Sequence, residues 1–155
     1  MSDKLDVVGI GNAMVDAIIP SNQSEIEKHE INRDSMNLID ENLKNNLHES
    51  YSIREMAGGG SLGNSMFGIT SFGGNGSFIG KIKNDEIGVY LQKDMIREGL
   101  KFPLGFTSPD ISTGCCTIFV EEDGTRTMCT FLGAGTLIGP EAVSYTHLRA
   151  HETCL

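Results

Sequence analysis

Groups of glycine between short apolar runs constrain this chain more than any other feature of its sequence. The longest group, Gly58 to Gly60, lies in AGGGSLGNS, between an apolar run and a stretch with helical spacing. Glycine lets a backbone turn tightly and approach another group without interference from a side chain. We therefore expect many short elements joined by tight turns. The 155 residues, 39% of them hydrophobic, are enough for one globular domain.

Strands and helices alternate in the pattern of the first hundred residues. Strands are predicted at 5–10, 36–39 and 77–82, with another apolar run at 14–19, and helices at 24–30, 41–49, 62–72 and 86–98. Asp40, Ser61 and Asp85 are the expected N-caps of the last three helices. This order is typical of parallel βαβ units, so we predict an α/β fold.

A hairpin is predicted farther along, where extended runs at 115–121 and 126–132 flank an Asp-Gly pair. Symmetric pairing about that turn places Glu121 opposite Arg126, Ile118 opposite Cys129, and Cys116 opposite Phe131. The simplest role for Arg126 is then a surface ion pair with Glu121, which contributes at most about 1 kcal/mol.

The charge pattern narrows the classes of partner. Twelve basic against 21 acidic residues give a net charge of −9, and no basic run stands out. We therefore expect neither a nucleic acid nor a membrane as partner. The first residues resemble neither a signal peptide nor a membrane span, and the four cysteines have no CxxC spacing. A cytoplasmic protein with reduced thiols is the expectation.

Two familiar nucleotide motifs fail on inspection. GIGNAM begins a dinucleotide fingerprint, but Met14 stands where the third glycine belongs. A P-loop ending at Gly80-Lys81 would need glycine at Asn75, and serine or threonine at Ile82. An NAD-dependent oxidoreductase is therefore the weakest of the functions considered.

The glycine turn and its neighbours can bind hydroxyl groups. Asp16 sits inside an apolar run, where an unpaired acid is costly, and a carboxylate can accept hydrogen bonds from two adjacent hydroxyls. Asn64 offers a donor and an acceptor one turn into the following helix. Each residue also has a plainer reading, because the glycines could form only a corner, Asn64 could bridge loops, and Asp16 could lie in water at a strand end.

Together these segments resemble the ribokinase-like (PfkB) small-molecule kinases. The ordered set is GIGNAMVD, AGGGSLGN, SFIGKIKNDEIG and STGCCTIFVEEDGTRTMCTFLGA, and it covers about residues 5–143. The spacing of Asn12 and Asp16 is most similar to the adenosine-kinase-like branch. The resemblance implies a truncated Rossmann-like ribokinase fold with a small β-sheet lid, whose hairpin would lie at about 112–132.

The activity implied by the resemblance is transfer of the γ-phosphate of ATP, with magnesium, to a hydroxymethyl group of a sugar or nucleoside such as ribose or adenosine. A homodimer through the lid is compatible with it. The implied acceptor-binding residues are Asn12, Asp16, Gly59, Gly60, Asn64, Arg126 and, facing the pocket from the lid, Cys116. The glycine turn would then hold sugar hydroxyls rather than the phosphates of ATP.

Parts of the family pattern are absent from the sequence. The family signature G-A-G-D supplies the catalytic base, whereas here Gly133-Ala134-Gly135 is followed by Thr136, in a segment that matches an earlier part of the family. We therefore name no catalytic base and no ATP site, and we expect the chain itself to be inactive. The alternative is a non-catalytic sugar- or nucleoside-binding or dimerisation module.

The last residues depart from the family pattern. Residues 144–155, SYTHLRAHETCL, resemble appended cloning sequence, and we interpret them as a non-native tail. His147, His151 and Cys154 have the helical spacing of metal ligands, but they lie in this tail.

Overall fold

The computed structural model describes residues 4–103, 106–108 and 110–140. The strands in these residues are β1 (Val7–Ile10), β2 (Met14–Pro20), β3 (Met36–Leu38), β4 (Glu55–Gly59), β5 (Gly76–Ile79), β6 (Ile82–Lys83), β7 (Phe106–Ser108), β8 (Gly114–Val120) and β9 (Arg126–Phe131). The helices are α1 (Gln23–Glu27), α2 (Glu41–Ser50), α3 (Ser61–Ser71) and α4 (Glu86–Arg97), followed by a 3-10 helix at Gly133–Leu137. The fold is α/β, as predicted. Residues 144–155, which we interpret as a non-native tail and which include His147, His151 and Cys154, lie outside the described residues.

A five-stranded sheet in the order β3-β9-β8-β2-β4 carries most of the features that matter for function. Its strands β2 and β8 are parallel, with Asp16 opposite Cys116. Parallel pairing, predicted for the strands of the first hundred residues, is found there between β1 and β5, and β6 with β7 and β3 with β9 are parallel as well. Strand β4 instead runs antiparallel to β2, with Ala57 opposite Asp16.

Two apolar clusters cover one side of β2. Ile19 packs with Ile26, Leu47 and Phe119 beneath α1 and α2. Val15 packs with the second cluster, which includes Met66, Phe78, Leu91 and Met95 of α3, β5 and α4. Because side chains alternate along a strand, burying Val15 and Ile19 on one face places Asp16 on the other.

The hairpin forms, but its predicted register is wrong by one residue. Cys116 lies opposite Thr130 and Val120 lies opposite Arg126. The reason is the loop, which holds three residues, 122–124, rather than two. The Gly124 N–H donates to the Glu121 carbonyl and Gly124 has φ +86°, as in a tight turn closed by a left-handed residue. The extra residue moves every pair by one position.

The surface ion pair predicted for Arg126 is also wrong. Glu121 accepts instead from Arg33, with its Oε1 2.8 Å from the Arg33 Nε. A residue 88 positions away in the chain thus ties the hairpin to the loop before β3. Because that loop has no regular pattern, this partner of Glu121 could not be predicted from the sequence.

The predicted N-caps are confirmed at Asp40 and Asp85 and wrong at Ser61. Asp40 accepts from the Leu43 N–H, and Asp85 accepts from the Gly88 N–H, each at 2.8 Å. Ser61 is the first residue of α3, whose N-cap is Gly60. The glycine turn therefore leads into the helix without a capping side chain.

Two further boundaries differ from the prediction. The single strand expected at 77–82 is divided into β5 and β6, with Gly80 between them. A Cβ at Gly80 would lie 2.6 Å from the Phe78 ring and 2.9 Å from the Gly11 carbonyl oxygen. The helix expected at 24–30 begins at Gln23 and ends at Glu27, with Asn22 as its N-cap. In the part of the chain that the structure describes, no helix has the length and apolar character needed to cross a bilayer.

Candidate functional site

Asp16 lies on the face of β2 that the helices leave open. It is half-buried, and its neighbours in the sheet are Ala57 on β4 and Cys116 on β8. Burial raises the pKa of the Asp16 carboxyl above its ordinary value of 3.8. The carboxyl is thus partly withdrawn from water and available to hydrogen-bond donors above the sheet.

Each of the three glycines in the turn is required for a different physical reason. A Cβ at Gly58 would lie 2.7 Å from the Phe67 ring, and a Cβ at Gly59 would lie 2.3 Å from the carboxyl carbon of Asp16. Gly60 has φ +79°, a conformation that side chains disfavour. The bare backbone therefore approaches Asp16 more closely than any other residue type would permit.

Helix α3 begins beside Asp16 with its first N–H groups uncapped by a side chain. The Asn64 N–H donates to the Gly60 carbonyl at 2.9 Å, which places Asn64 one turn into the helix. Its side chain is exposed. The uncapped N–H groups carry the positive end of the helix dipole. They supply hydrogen-bond donors next to the acceptor oxygens of Asp16.

Asn12 lies at the same end of the sheet, in the loop between β1 and β2. Its side chain is exposed, and its backbone carbonyl oxygen would lie 3.8 Å from a Cβ placed on Gly60. On the other side a Cβ at Gly135 would lie 3.1 Å from the Cα, Cβ and Cγ atoms of Asn12. The 3-10 helix that holds Gly133-Ala134-Gly135 thus supports Asn12 from behind.

Cys116 extends the site across the sheet. It is 5% exposed and accepts a hydrogen bond from the Thr130 hydroxyl at 3.3 Å. Burial raises the pKa of its thiol, so the sulfur is a neutral, polarisable surface at pH 7. Leu38, Thr130, Cys116, Asp16 and Ala57 form one row across the five strands.

Arg126 is not brought together with the other predicted residues. It lies on the open face, opposite Val120. It is four residues along β9 from Thr130, which is about 13 Å in a strand. Six of the seven predicted residues therefore converge at one end of the sheet, and Arg126 lies at the hairpin end.

The convergent groups can recognise a polyol. A carboxylate accepts hydrogens from two neighbouring hydroxyls, while helix N–H groups and the Asn64 amide donate to hydroxyl oxygens. A side chain at Gly59 would collide with the Asp16 carboxyl, so the bare backbone there keeps the carboxyl unobstructed from that side. Among the described residues, no group of three or more His, Cys, Asp or Glu side chains could hold a metal ion.

A sizeable cavity in the described part of the chain lies elsewhere. It encloses about 770 Å³ at the hairpin end and is lined by Glu25, Arg54, Glu121 and Asp123, among others. The volume of this cavity would place a binding site at the hairpin end, whereas the convergence of polar groups places it at Asp16. We assign the site at Asp16, because polar groups converge there, whereas apolar, polar and acidic residues together line the cavity.

Sequence reasoning missed a polar cluster on the opposite face of the sheet. The buried Lys44 amine donates to the Ser112 hydroxyl at 3.2 Å and lies 5.2 Å from the centre of the Phe131 ring. The His48 Nε2 is 2.9 Å from the Thr117 hydroxyl, and burial, with the charge of Lys44, lowers the pKa of His48. Helical spacing alone does not reveal such contacts with a sheet.

Asp94 is a second residue that sequence reasoning missed. It is 4% exposed, and its Oδ2 accepts from the Gly58 N–H at 2.8 Å. The signal was present, because Asp94 adjoins Met95 on the apolar face of α4, as Asp16 sits within an apolar strand. An acid on an apolar face needs a partner.

Comparison with known proteins gives a family match and structural neighbours. The chain matches the model of the pfkB family carbohydrate kinase over residues 5–149. No curated protein matches it. A solved structure of a probable sugar kinase from Rhizobium etli CFN 42 is 33% identical with a TM-score of 0.80, covering 90% of this chain and 42% of that chain.

Adenosine kinases are also among the similar structures. That from Sinorhizobium meliloti is 37% identical with a TM-score of 0.81, covering 91% of this chain and 43% of that chain. Anopheles gambiae adenosine kinase, solved with P1,P4-di(adenosine-5) tetraphosphate, is 23% identical and shows likeness of fold alone. Its TM-score is 0.81, and the match covers 93% of this chain and 45% of that chain. The chain thus spans less than half the length of these relatives.

Proposed function

The chain belongs to the pfkB family of carbohydrate kinases, and from this premise we propose that its protein phosphorylates a hydroxymethyl group of a sugar or nucleoside. The likeness to a sugar kinase and to an adenosine kinase supports both acceptor classes. ATP with magnesium is the proposed phosphoryl donor and would supply charge neutralisation during transfer. The residues described here are assigned to the acceptor.

The observation that carries this proposal is the packing of Asp16 against the glycine turn. With Gly59 so close that a Cβ would stand 2.3 Å from the carboxyl carbon, the carboxylate and the backbone present one continuous polar surface. Asp16 accepts from two adjacent acceptor hydroxyls. The N-terminus of α3 and Asn64 donate to hydroxyl oxygens, and Asn12 closes the end of the site.

The five-stranded sheet is the proposed lid over the acceptor. Cys116 and Thr130 would contact the acceptor's apolar side, because both lie in the same row as Asp16. Arg126, about 13 Å along the sheet, would reach the far end of an extended acceptor or the phosphate being transferred. An acceptor as long as a nucleoside would use more of this face than a single sugar ring.

Calorimetric titration of the printed chain with adenosine, ribose and fructose tests the proposal. We expect saturable binding of at least one of them, and its loss in Asp16→Ala. Glu122→Ala is the matched control, since it removes an exposed acid from the hairpin loop. Failure of the unchanged chain to bind any of the three, or equal affinity in Asp16→Ala, would contradict the assignment.

A further inference from the structure

Strand β4 is an edge strand of the five-stranded sheet, and side chains of α4 occupy its outer edge. The Gly58 N–H donates to Asp94 Oδ2 at 2.8 Å, and the Met56 carbonyl accepts from the Tyr90 hydroxyl. Four residues along a helix span about 6 Å, and two residues along a strand span about 7 Å. Tyr90 and Asp94 therefore match the spacing of Met56 and Gly58 and take the place of a neighbouring strand.

Asp94 is held as a buried, charged hydrogen-bond acceptor. Its carboxylate bonds to Gly58 with one oxygen and to the Arg97 guanidinium with the other, while the Arg97 side chain stays 67% exposed. Burial of a carboxylate without partners is costly, and charge-assisted bonds of this kind are among the stronger ones in proteins. The bond to Gly58 is thus a strong constraint on the backbone of β4.

Gly58 is also confined from its second side. A Cβ there would lie 2.7 Å from the Phe67 ring of α3 and 2.8 Å from Asp94 Oδ2. The peptide is clamped between two helices immediately before Gly59, whose Cα lies against the Asp16 carboxyl. Position is therefore transmitted from α4 to Asp16 through two consecutive residues.

We propose that Asp94 is a positioning residue for acceptor binding, which holds the glycine turn at the separation from Asp16 that the acceptor hydroxyls require. The inference rests on the proposed function, because it concerns the same site. In this role Asp94 does not contact the acceptor itself and acts only through its hydrogen bond with the Gly58 N–H.

The test compares Asp94→Ala, Asp94→Asn and Arg97→Ala in the printed chain. Affinity for adenosine or ribose is measured by calorimetry, and exchange of the Gly58 amide hydrogen by NMR. We expect Asp94→Ala to weaken binding roughly tenfold or more and to speed Gly58 exchange. Asp94→Asn keeps an acceptor oxygen and should restore most of the affinity. Arg97→Ala leaves the bond to Gly58 intact and should bind like the unchanged chain.

A further variant covers the case in which Asp94→Ala does not fold. Asp94→Glu keeps the charge and moves the carboxylate by one methylene, so it too should weaken binding and speed Gly58 exchange. Unchanged affinity in Asp94→Ala, or in Asp94→Glu where the alanine variant is unfolded, would overturn the inference while leaving the function intact. Equal weakening in Asp94→Asn would overturn the hydrogen-bond account. Absence of binding by the unchanged chain would remove the proposed function, and the inference with it.

Discussion

The carboxylate of Asp16 is half-buried in the described structure, and burial raises its pKa above 3.8. When the native pKa exceeds the unfolded one, stability falls as the pH rises from the unfolded value through the native value, and the loss is complete above it. At pH values above its native pKa the carboxylate therefore lowers the stability of the ligand-free protein. A bound polyol would offset that cost by donating hydrogen bonds.

Asp16→Asn should accordingly raise the melting temperature of the ligand-free chain at pH 7 and abolish acceptor binding. The gain should shrink on acidification toward pH 4, because burial favours the protonated form of the native carboxyl. Thermal melts at both pH values, followed by circular dichroism, measure it. A melting temperature lowered equally at both pH values would show that Asp16 serves mainly as a structural acceptor.

Gly59→Ala and Gly63→Ala form a matched pair on either side of the α3 N-terminus. The Cβ at position 59 would meet the Asp16 carboxyl at 2.3 Å, so this change should destabilise by about 1–3 kcal/mol. At Gly63 nothing lies within 4 Å, and alanine in a helix should stabilise by up to about 1 kcal/mol. Urea denaturation of both variants gives the comparison, and similar effects of the two substitutions would refute the close contact.

Residue types and local pattern were enough to select Asp16, Asn64 and the glycine turn. They could not reveal Asp94 as the partner of Gly58, because 36 residues separate the two and only tertiary packing joins them. The family resemblance supplied Asn12 and Cys116, which have no chemical signature alone. The role of Arg126 stays a prediction. Its distance from Asp16 depends on the register of the β8–β9 hairpin, which short-range sequence pattern did not determine.

At the scale of elements, the hairpin shows how one loop residue changes a prediction. Both strands were predicted within one residue of their observed ends, yet every cross-strand pair was displaced. An Asp-Gly pair favours a two-residue turn, but Glu122 joins the loop and Gly124 closes it at φ +86°. Strand identity follows from side-chain alternation, whereas register depends on turn geometry that the same residues can satisfy in two ways.

The N-caps of α2 and α4 differ in what else they hold, and this difference gives a test. Asp40 caps α2 at the surface, whereas Asp85 also accepts from the Thr113 N–H at 2.8 Å and from its hydroxyl at 2.7 Å. Asp40→Ala should cost about 1 kcal/mol. Asp85→Ala should cost roughly 2–4 kcal/mol, because it also removes the carboxylate acceptor of the buried Thr113 N–H and leaves the Thr113 hydroxyl bonded only to the backbone of Lys83.

Chemical denaturation of the two cap variants measures both free energies of unfolding. The order matters more than the absolute values, since the cap bond is common to both helices. Equal losses would mean that the bonds from Thr113 contribute nothing beyond the cap. The link matters because Thr113 directly precedes β8, the strand that carries Cys116.

At the scale of the whole molecule, the open face of the five-stranded sheet is apolar at its β3 edge. Met36 is 55% exposed and Leu38 is 66% exposed, on a strand with no neighbour on its outer side among the described residues. Exposed apolar edge strands promote association between copies. We expect sedimentation velocity of the printed chain to show self-association that grows with concentration.

Leu38→Lys should reduce that association, because a charge on an edge strand opposes pairing. Ile96→Lys is the control, since Ile96 is 61% exposed on α4, which lies at the β4 edge of the sheet, opposite β3. Equal effects of both substitutions would attribute association to general hydrophobicity instead. A chain that stays monomeric at every concentration would contradict the expectation.

The parallel pairing of β2 with β8 also bears on how the molecule forms. Asp16 and Cys116 face each other although about one hundred residues separate them, and such long-range contacts slow folding through the entropy of closing large loops. During synthesis β2 leaves the ribosome before its partner strand β8 has been made. At ribosomal speeds of 5–20 residues per second, the interval is about 5–20 s. Throughout that time an apolar strand bearing a carboxylate is unpaired on one edge, which leaves the nascent chain prone to association with other chains.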